Sequence, residues 1–153
     1  MAKYIICDCA RANWGKSTTL IAVDKLFYSN EDRFRLLNPT HPSKGDVWQI
    51  YEDRKTGKVI LIQSGGDSPQ IFADTENYLS AGNNVDVIIC ACHVRGATRR
   101  VVYKIVKNYG YTPIFFNNFS PIKGKKYWTP QITSINSTLL AQAIQQLALN
   151  LEF

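Results

Sequence analysis

Two apolar patterns alternate along the 153-residue chain. Continuous apolar runs of strand length, "KYIICDCA", "VDVIICACHV" and "YTPIFFNN", are rich in β-branched and aromatic residues. The first two predict strands buried on both faces, and the third predicts another strand. Between them lie segments with helical spacing. "GKSTTLIAVDKLFYSN" carries Leu20, Val23, Leu26 and Phe27 on one face, and Ser29-Asn30 can end it. A second helix is predicted from about Pro69 to Ala81, carrying Ile71, Phe72, Tyr78 and Leu79. "ATRRVVYKIVKNY" and the final "INSTLLAQAIQQLALNLEF" predict two more. "RFRLL" reads as a short strand that stops at Asn38-Pro39, and "NPTHPSKGD" as a loop.

"DVWQIYEDRKTGKVILIQSGGD" has the pattern of a β-hairpin. Val47, Gln49 and Tyr51 alternate with Trp48, Ile50 and Glu52, Thr56-Gly57 supplies the turn, and "VILI" is the buried partner. "FSPIKGKKYWTPQITS" reads as a loop before the last helix. The alternation predicts an α/β fold with a mostly parallel central sheet, helices on both faces and one antiparallel hairpin. The length suits a single domain over residues 1–153. Sheets of this kind bind ligands at the carboxyl ends of their strands.

The segment that follows the first apolar run, "ARANWGKSTT", carries the strongest chemical signal. A polyphosphate needs inward-facing backbone N–H groups, a helix N-terminus and a cation. Ala12, Asn13, Trp14 and Gly15 would supply the backbone cradle, with Gly15 allowing close approach. Lys16 would contact the β- and γ-phosphates, Ser17 would offer its hydroxyl to Mg²⁺, and Thr18 would touch the α-phosphate. Ala10 stands where the usual G-x-x-x-x-G-K-[ST] pattern has its first glycine.

With Gly15, Lys16, Ser17 and Thr18 in place, "RANWGKST" resembles the deviant Walker A loop of the ParA/MinD-type ATPases, a branch of the P-loop NTPases. That pattern is Lys-Gly-Gly-x-Gly-Lys-[Ser/Thr]-Thr, and Arg11 stands at its signature lysine. The resemblance implies a three-layer P-loop NTPase fold, ATP and Mg²⁺ as ligands, and a nucleotide-dependent homodimer in which Arg11 acts across the interface. "VILIQSGGDSP" looks like the Walker B strand and switch, with Gln63 at the usual aspartate and Asp67 able to hold a Mg²⁺-bound water. Asn38 stands at the end of the strand that normally carries a water-activating aspartate. "PIFFNN" resembles the base-contacting strand, so that Asn117 or Asn118 would touch the base. The catalytic set implied is Lys16, Arg11 and Gln63. Because two acidic positions read Asn38 and Gln63, the expected ATPase activity is slow or partner-stimulated. The implied role is a switch in plasmid or chromosome maintenance.

Two alternatives accompany this reading. The hairpin followed by "QSGGD" also resembles Ras-like small GTPases, with Gly66 and Thr40 as switch residues. However, "NNFS" has no aspartate for the guanine N–H groups, so GTP is the weaker candidate. The other alternative is a catalytically degenerate module that holds nucleic acid or a protein partner on a basic surface. The net charge of +6 permits it, and Lys123, Lys125 and Lys126 beside Tyr127 and Trp128 form the basic-aromatic stretch that would carry it.

Arg95, Arg99 and Arg100 at the start of a helix read either as an anion- or partner-contacting cluster or as a solvated face. His93 either faces the ligand crevice or closes its strand, and His41 sits in a Pro-flanked loop. Cys7, Cys9, Cys90 and Cys92 fall in C-x-C pairs inside apolar strands, a spacing that fits buried thiols better than a zinc site. They imply a reducing compartment. With no signal-peptide pattern at the start and no apolar segment of spanning length, a cytoplasmic protein without a membrane span is expected.

Overall fold

Val87–Cys92 is a run of six residues with no solvent contact, and it forms a strand deep inside the sheet. The computed structural model of the protein describes residues 2–9, 16–37, 47–65, 72–93, 96–117 and 130–151, with side chains omitted at 16, 17, 117 and 130–137. Along the chain come β1 (Lys3–Cys9), α1 (Lys16–Tyr28), β2 (Phe34–Leu36), β3 (Trp48–Asp53) and β4 (Val59–Gln63). They are followed by α2 (Ala73–Ser80), β5 (Val87–Cys92), α3 (Ala97–Tyr109), β6 (Tyr111–Asn117) and α4 (Pro130–Asn150). The described strands form one six-stranded sheet in the order β2-β3-β4-β5-β1-β6.

The pairing corrects the fold expected from sequence. β4, β5, β1 and β6 are joined by parallel ladders, but β3 pairs antiparallel on both of its edges, with β2 and with β4. The sheet is therefore mixed, a three-stranded antiparallel meander joined to a parallel set. It is not the mostly parallel sheet with one hairpin of a three-layer P-loop NTPase. The physical reason lies in β3, where Gln49, Ile50, Tyr51 and Asp53 are all buried. The hairpin pattern predicted the β3–β4 pairing but was silent about what covers the outer edge of β3. Arg33 reaches Asp53 from the start of β2, and the Arg35–Glu52 and Leu36–Tyr51 register follows. The sequence order also gave no sign that β5 lies between β4 and β1.

Local chemistry explains the elements. α1 buries Leu20, Val23 and Phe27 completely, the helical stripe anticipated from sequence. α3 spans the predicted "ATRRVVYKIVKNY" and stops at Gly110, whose φ of 75° supplies the left-handed C-terminal residue and whose N–H bonds Val106. α4 starts at Pro130, five residues before the expected Ile135. Proline is well suited to a first helical turn, because its missing N–H would be unpaired there anyway. Alternate strand residues feed two cores. Ile6, Ile62, Ile89 and Tyr51 meet α1 and α4 on one face, and Ile5, Leu61, Ile88 and Cys90 meet α2 and α3 on the other.

The edge of the sheet at which the parallel strands begin is closed by satisfied polar groups. Asp53, 1% exposed, accepts from Arg33 Nε at 3.1 Å and Nη2 at 3.0 Å, from the Lys55 N–H and from the Thr56 hydroxyl. Gly57, at φ 74°, closes the turn by donating to the Asp53 carbonyl. Burial pushes the Asp53 carboxyl up, but the bonds from Arg33, Lys55 and Thr56 outweigh it and hold the group below its ordinary range. Asp86 accepts the Val59 N–H, and the Tyr111 hydroxyl donates to the Val85 carbonyl. No described helix is long and apolar enough to cross a membrane.

Candidate functional site

The opposite edge, where β4, β5, β1 and β6 end, gathers the chemistry. β1 is the first strand here, and its last residues, Asp8 and Cys9, are buried. α1 starts at Lys16, so Gly-Lys-Ser-Thr spans the entry to a helix whose first turn has no acidic residue. An N-terminus without carboxylates presents its N–H groups and partial positive charge to an anion. That donor set fits a phosphate. Thr18 is exposed in this turn, while Thr19 is buried against the sheet. Lys16 and Ser17 are placed by backbone alone, and Arg11, Ala12, Asn13, Trp14 and Gly15 lie outside the described residues.

Gln63 ends β4 and is 1% exposed. Its Oε1 accepts the Thr75 hydroxyl at 2.6 Å, and Thr75 in turn accepts the Trp48 indole N–H at 2.9 Å. The Gln63 carbonyl thus anchors α2 and β3. Its Nε2 is buried without a hydrogen-bond partner among the described residues. If Gln63 served catalysis, only this amide nitrogen would be available for a ligand. β5 stands between β4 and β1, so Gln63 and the start of α1 are not on neighbouring strands. Asn117 ends β6, level with Cys9 in the ladder. Asn38, Thr40, His41, Gly66, Asp67, Asn118 and the Lys123–Trp128 stretch lie outside the described residues, as does Arg95.

His93 follows β5 half-buried, and its backbone N–H donates to the Thr98 hydroxyl at 3.0 Å, tying the strand end to α3. The arginines of α3 divide. Arg100 is exposed, whereas Arg99 turns inward, with its guanidinium 4.1 Å from the centre of the Phe115 ring and Nη1 3.6 Å from Cys9 Sγ. A bond with Tyr103 raises the Arg99 pKa further, so the charge is permanent.

The four cysteines are buried thiols on neighbouring strands, as their spacing suggested, and none is in a disulfide. What the sequence did not reveal is their convergence. The β1–β5 register sets Cys7 beside Cys90 and Cys9 beside Cys92. Cys92 Sγ lies 3.0 Å from both Cys7 Sγ and Cys9 Sγ, and the last two are 3.9 Å apart. The crowding shifts the pKa values of Cys7 and Cys92 upward. Bonds from Cys9 and Cys90, more than burial, raise Cys7, and bonds from Cys7 and Cys9 together with burial raise Cys92. Asp8 was missed too; the visible signal was an acid within an otherwise apolar strand, "IICDCA". Gln49 was the third omission. It sits at this edge opposite Ile62, 0% exposed, with neither side-chain polar atom hydrogen-bonded among the described residues.

Comparison with protein-family models, with curated proteins and with solved structures finds no match for this chain.

Proposed function

We propose that the protein binds ATP with Mg²⁺ through the segment joining β1 to α1. Hydrolysis is slow or partner-stimulated, and nucleotide drives homodimerisation. The observation that carries this reading is Gly-Lys-Ser-Thr at the entry to α1, beyond a buried parallel strand, with no acidic residue in the first turn. In this reading Lys16 stabilises the terminal phosphates, Ser17 and Asp67 serve the metal, and Arg11 reaches the partner's nucleotide. Asn117 or Asn118 contacts the base, with ATP preferred over GTP. Slow turnover is consistent with a Gln63 whose carbonyl is committed to Thr75 and which has at most Nε2 to offer. Four cysteines outside any disulfide accord with the cytoplasm. A role in plasmid or chromosome maintenance enters only through the resemblance of the loop.

The test is calorimetric titration of ATP, GTP and ADP, each with Mg²⁺, into wild type and Lys16→Ala. ATP binding by the wild type should fall at least about tenfold in the variant, a loss of roughly 1.4 kcal/mol. Absence of binding by the folded wild type overturns the reading. ATP-dependent dimerisation, followed by light scattering, should then disappear in Arg11→Ala.

A further inference from the structure

The three-sulfur cluster calls for an account that the nucleotide reading does not supply. Residues two apart on a strand share a face, so Cys7 with Cys9 and Cys90 with Cys92 point to the same side of the sheet. The parallel register makes them a two-by-two patch beneath α3. Buried cysteine serves well as a small apolar residue, and apolar packing alone would be met equally by alanine or valine. It does not require three sulfur atoms in mutual contact. The donor atoms of Cys7, Cys9 and Cys92 all lie within 4.8 Å of one another, the spacing of ligands around one small ion. No carboxylate or imidazole belongs to this set among the described residues.

We propose that Cys7, Cys9 and Cys92 form a binding site for a single soft monovalent cation, Cu(I), held by three thiolates. The choice of ion follows from the donors. Thiolate sulfur selects soft metals, while hard cations such as Mg²⁺ take oxygen. Zn²⁺ takes four ligands in a tetrahedron, and this set offers three in a dry environment, each donor residue 0–1% exposed. Binding is coordination without redox change: Cu⁺ replaces three S–H protons, which pass to the buffer, and three Cu–S bonds form. The product carries a net charge of −2, and the Arg99 guanidinium beside Cys9 offsets part of it. The site is distinct from the start of α1, so its success or failure leaves the ATP proposal untouched.

The test uses the full chain under anaerobic conditions with a non-thiol reductant. Cu(I) is titrated against a colorimetric Cu(I) chelator, and X-ray absorption is recorded on the one-equivalent complex. One ion bound per chain with three sulfur neighbours is the expected result, together with at least a hundredfold weaker binding in Cys92→Ala. Cys90→Ala should bind as the wild type does. No competition by the folded wild type overturns the proposal. So does a nitrogen, oxygen or fourth sulfur neighbour, equal loss in Cys90→Ala, or Zn²⁺ bound more tightly than Cu(I) in a parallel titration. The wild-type measurements stand even if Cys92→Ala fails to fold.

Discussion

The two edges of the sheet handle buried polarity in opposite ways. At the edge where the parallel strands begin, Asp53 has four hydrogen-bond donors, Asp86 receives Val59, and the Tyr111 hydroxyl reaches Val85. At the edge where they end, the amide of Gln49 and the Nε2 of Gln63 are buried without partners among the described residues, and three thiols crowd together. An unpaired buried amide costs about 1–3 kcal/mol, so a fold keeps such groups where something other than stability requires them. The first edge holds the fold, and the second is the place to look for ligands. Lys16 of α1 and the sulfur cluster belong to the second.

The largest effect expected from this contrast is at Asp53. Asp53→Ala leaves Arg33, the Lys55 N–H and the Thr56 hydroxyl without their acceptor, and should cost about 3 kcal/mol in urea unfolding. ATP binding should be unaffected. The pH dependence has a definite sign. A carboxyl with a lowered folded-state pKa contributes stability above its unfolded value of about 3.9, and that contribution is lost as pH falls through the folded value. Wild type should therefore weaken in acid more steeply than Asp53→Asn below about pH 4. Equal acid slopes would show that the Arg33 pair carries little.

Thr75 comes next, and it divides the ligand edge itself. Thr75→Val keeps shape while removing the hydroxyl that links Trp48 to Gln63, so that the buried Gln63 Oε1 loses this donor and the half-buried indole N–H loses this acceptor. A loss of about 2 kcal/mol is expected by thermal unfolding. A loss below about 0.5 kcal/mol would mean that Gln63 is not held as a structural anchor, and would return it to the catalytic role.

Much of this was legible in the chain because it depends on local periodicity. The buried runs of β1 and β5, the strand β6, the stripe of α1 and the bounds of α3 follow from residue spacing. Pairing partners are not local, so neither the burial of β3 between two antiparallel neighbours nor the insertion of β5 between β4 and β1 could be seen. α4 began early because Pro130 reads as a loop signal to an observer who cannot see that it opens a helix. For the site, Gly-Lys-Ser-Thr announces itself as a contiguous motif. The sulfur cluster does not, since each C-x-C pair means little until register sets Cys9 beside Cys92. Gln49 was hidden for a further reason. The alternation set it on one face with Val47 and Tyr51 without showing which face is covered, and only the structure shows that it is buried.

The smallest effect is the most pointed, because its sign is reversed. Gln49 shares the face of Tyr51, opposite Ile62, among apolar residues that also pack on α1. Gln49→Leu removes two polar atoms that lack partners among the described residues and replaces them with apolar surface of similar volume. Such an exchange should stabilise the protein by about 1 kcal/mol, whereas most core substitutions destabilise. If Gln49 is kept for a ligand, the stabilised variant should bind that ligand less well, the trade-off common where stability yields to function. ATP titration into Gln49→Leu reads this directly. A gain in stability with unchanged ATP affinity would separate Gln49 from the nucleotide site, and a loss of stability would show that the amide is paired in the folded protein, ending the contrast between the two edges.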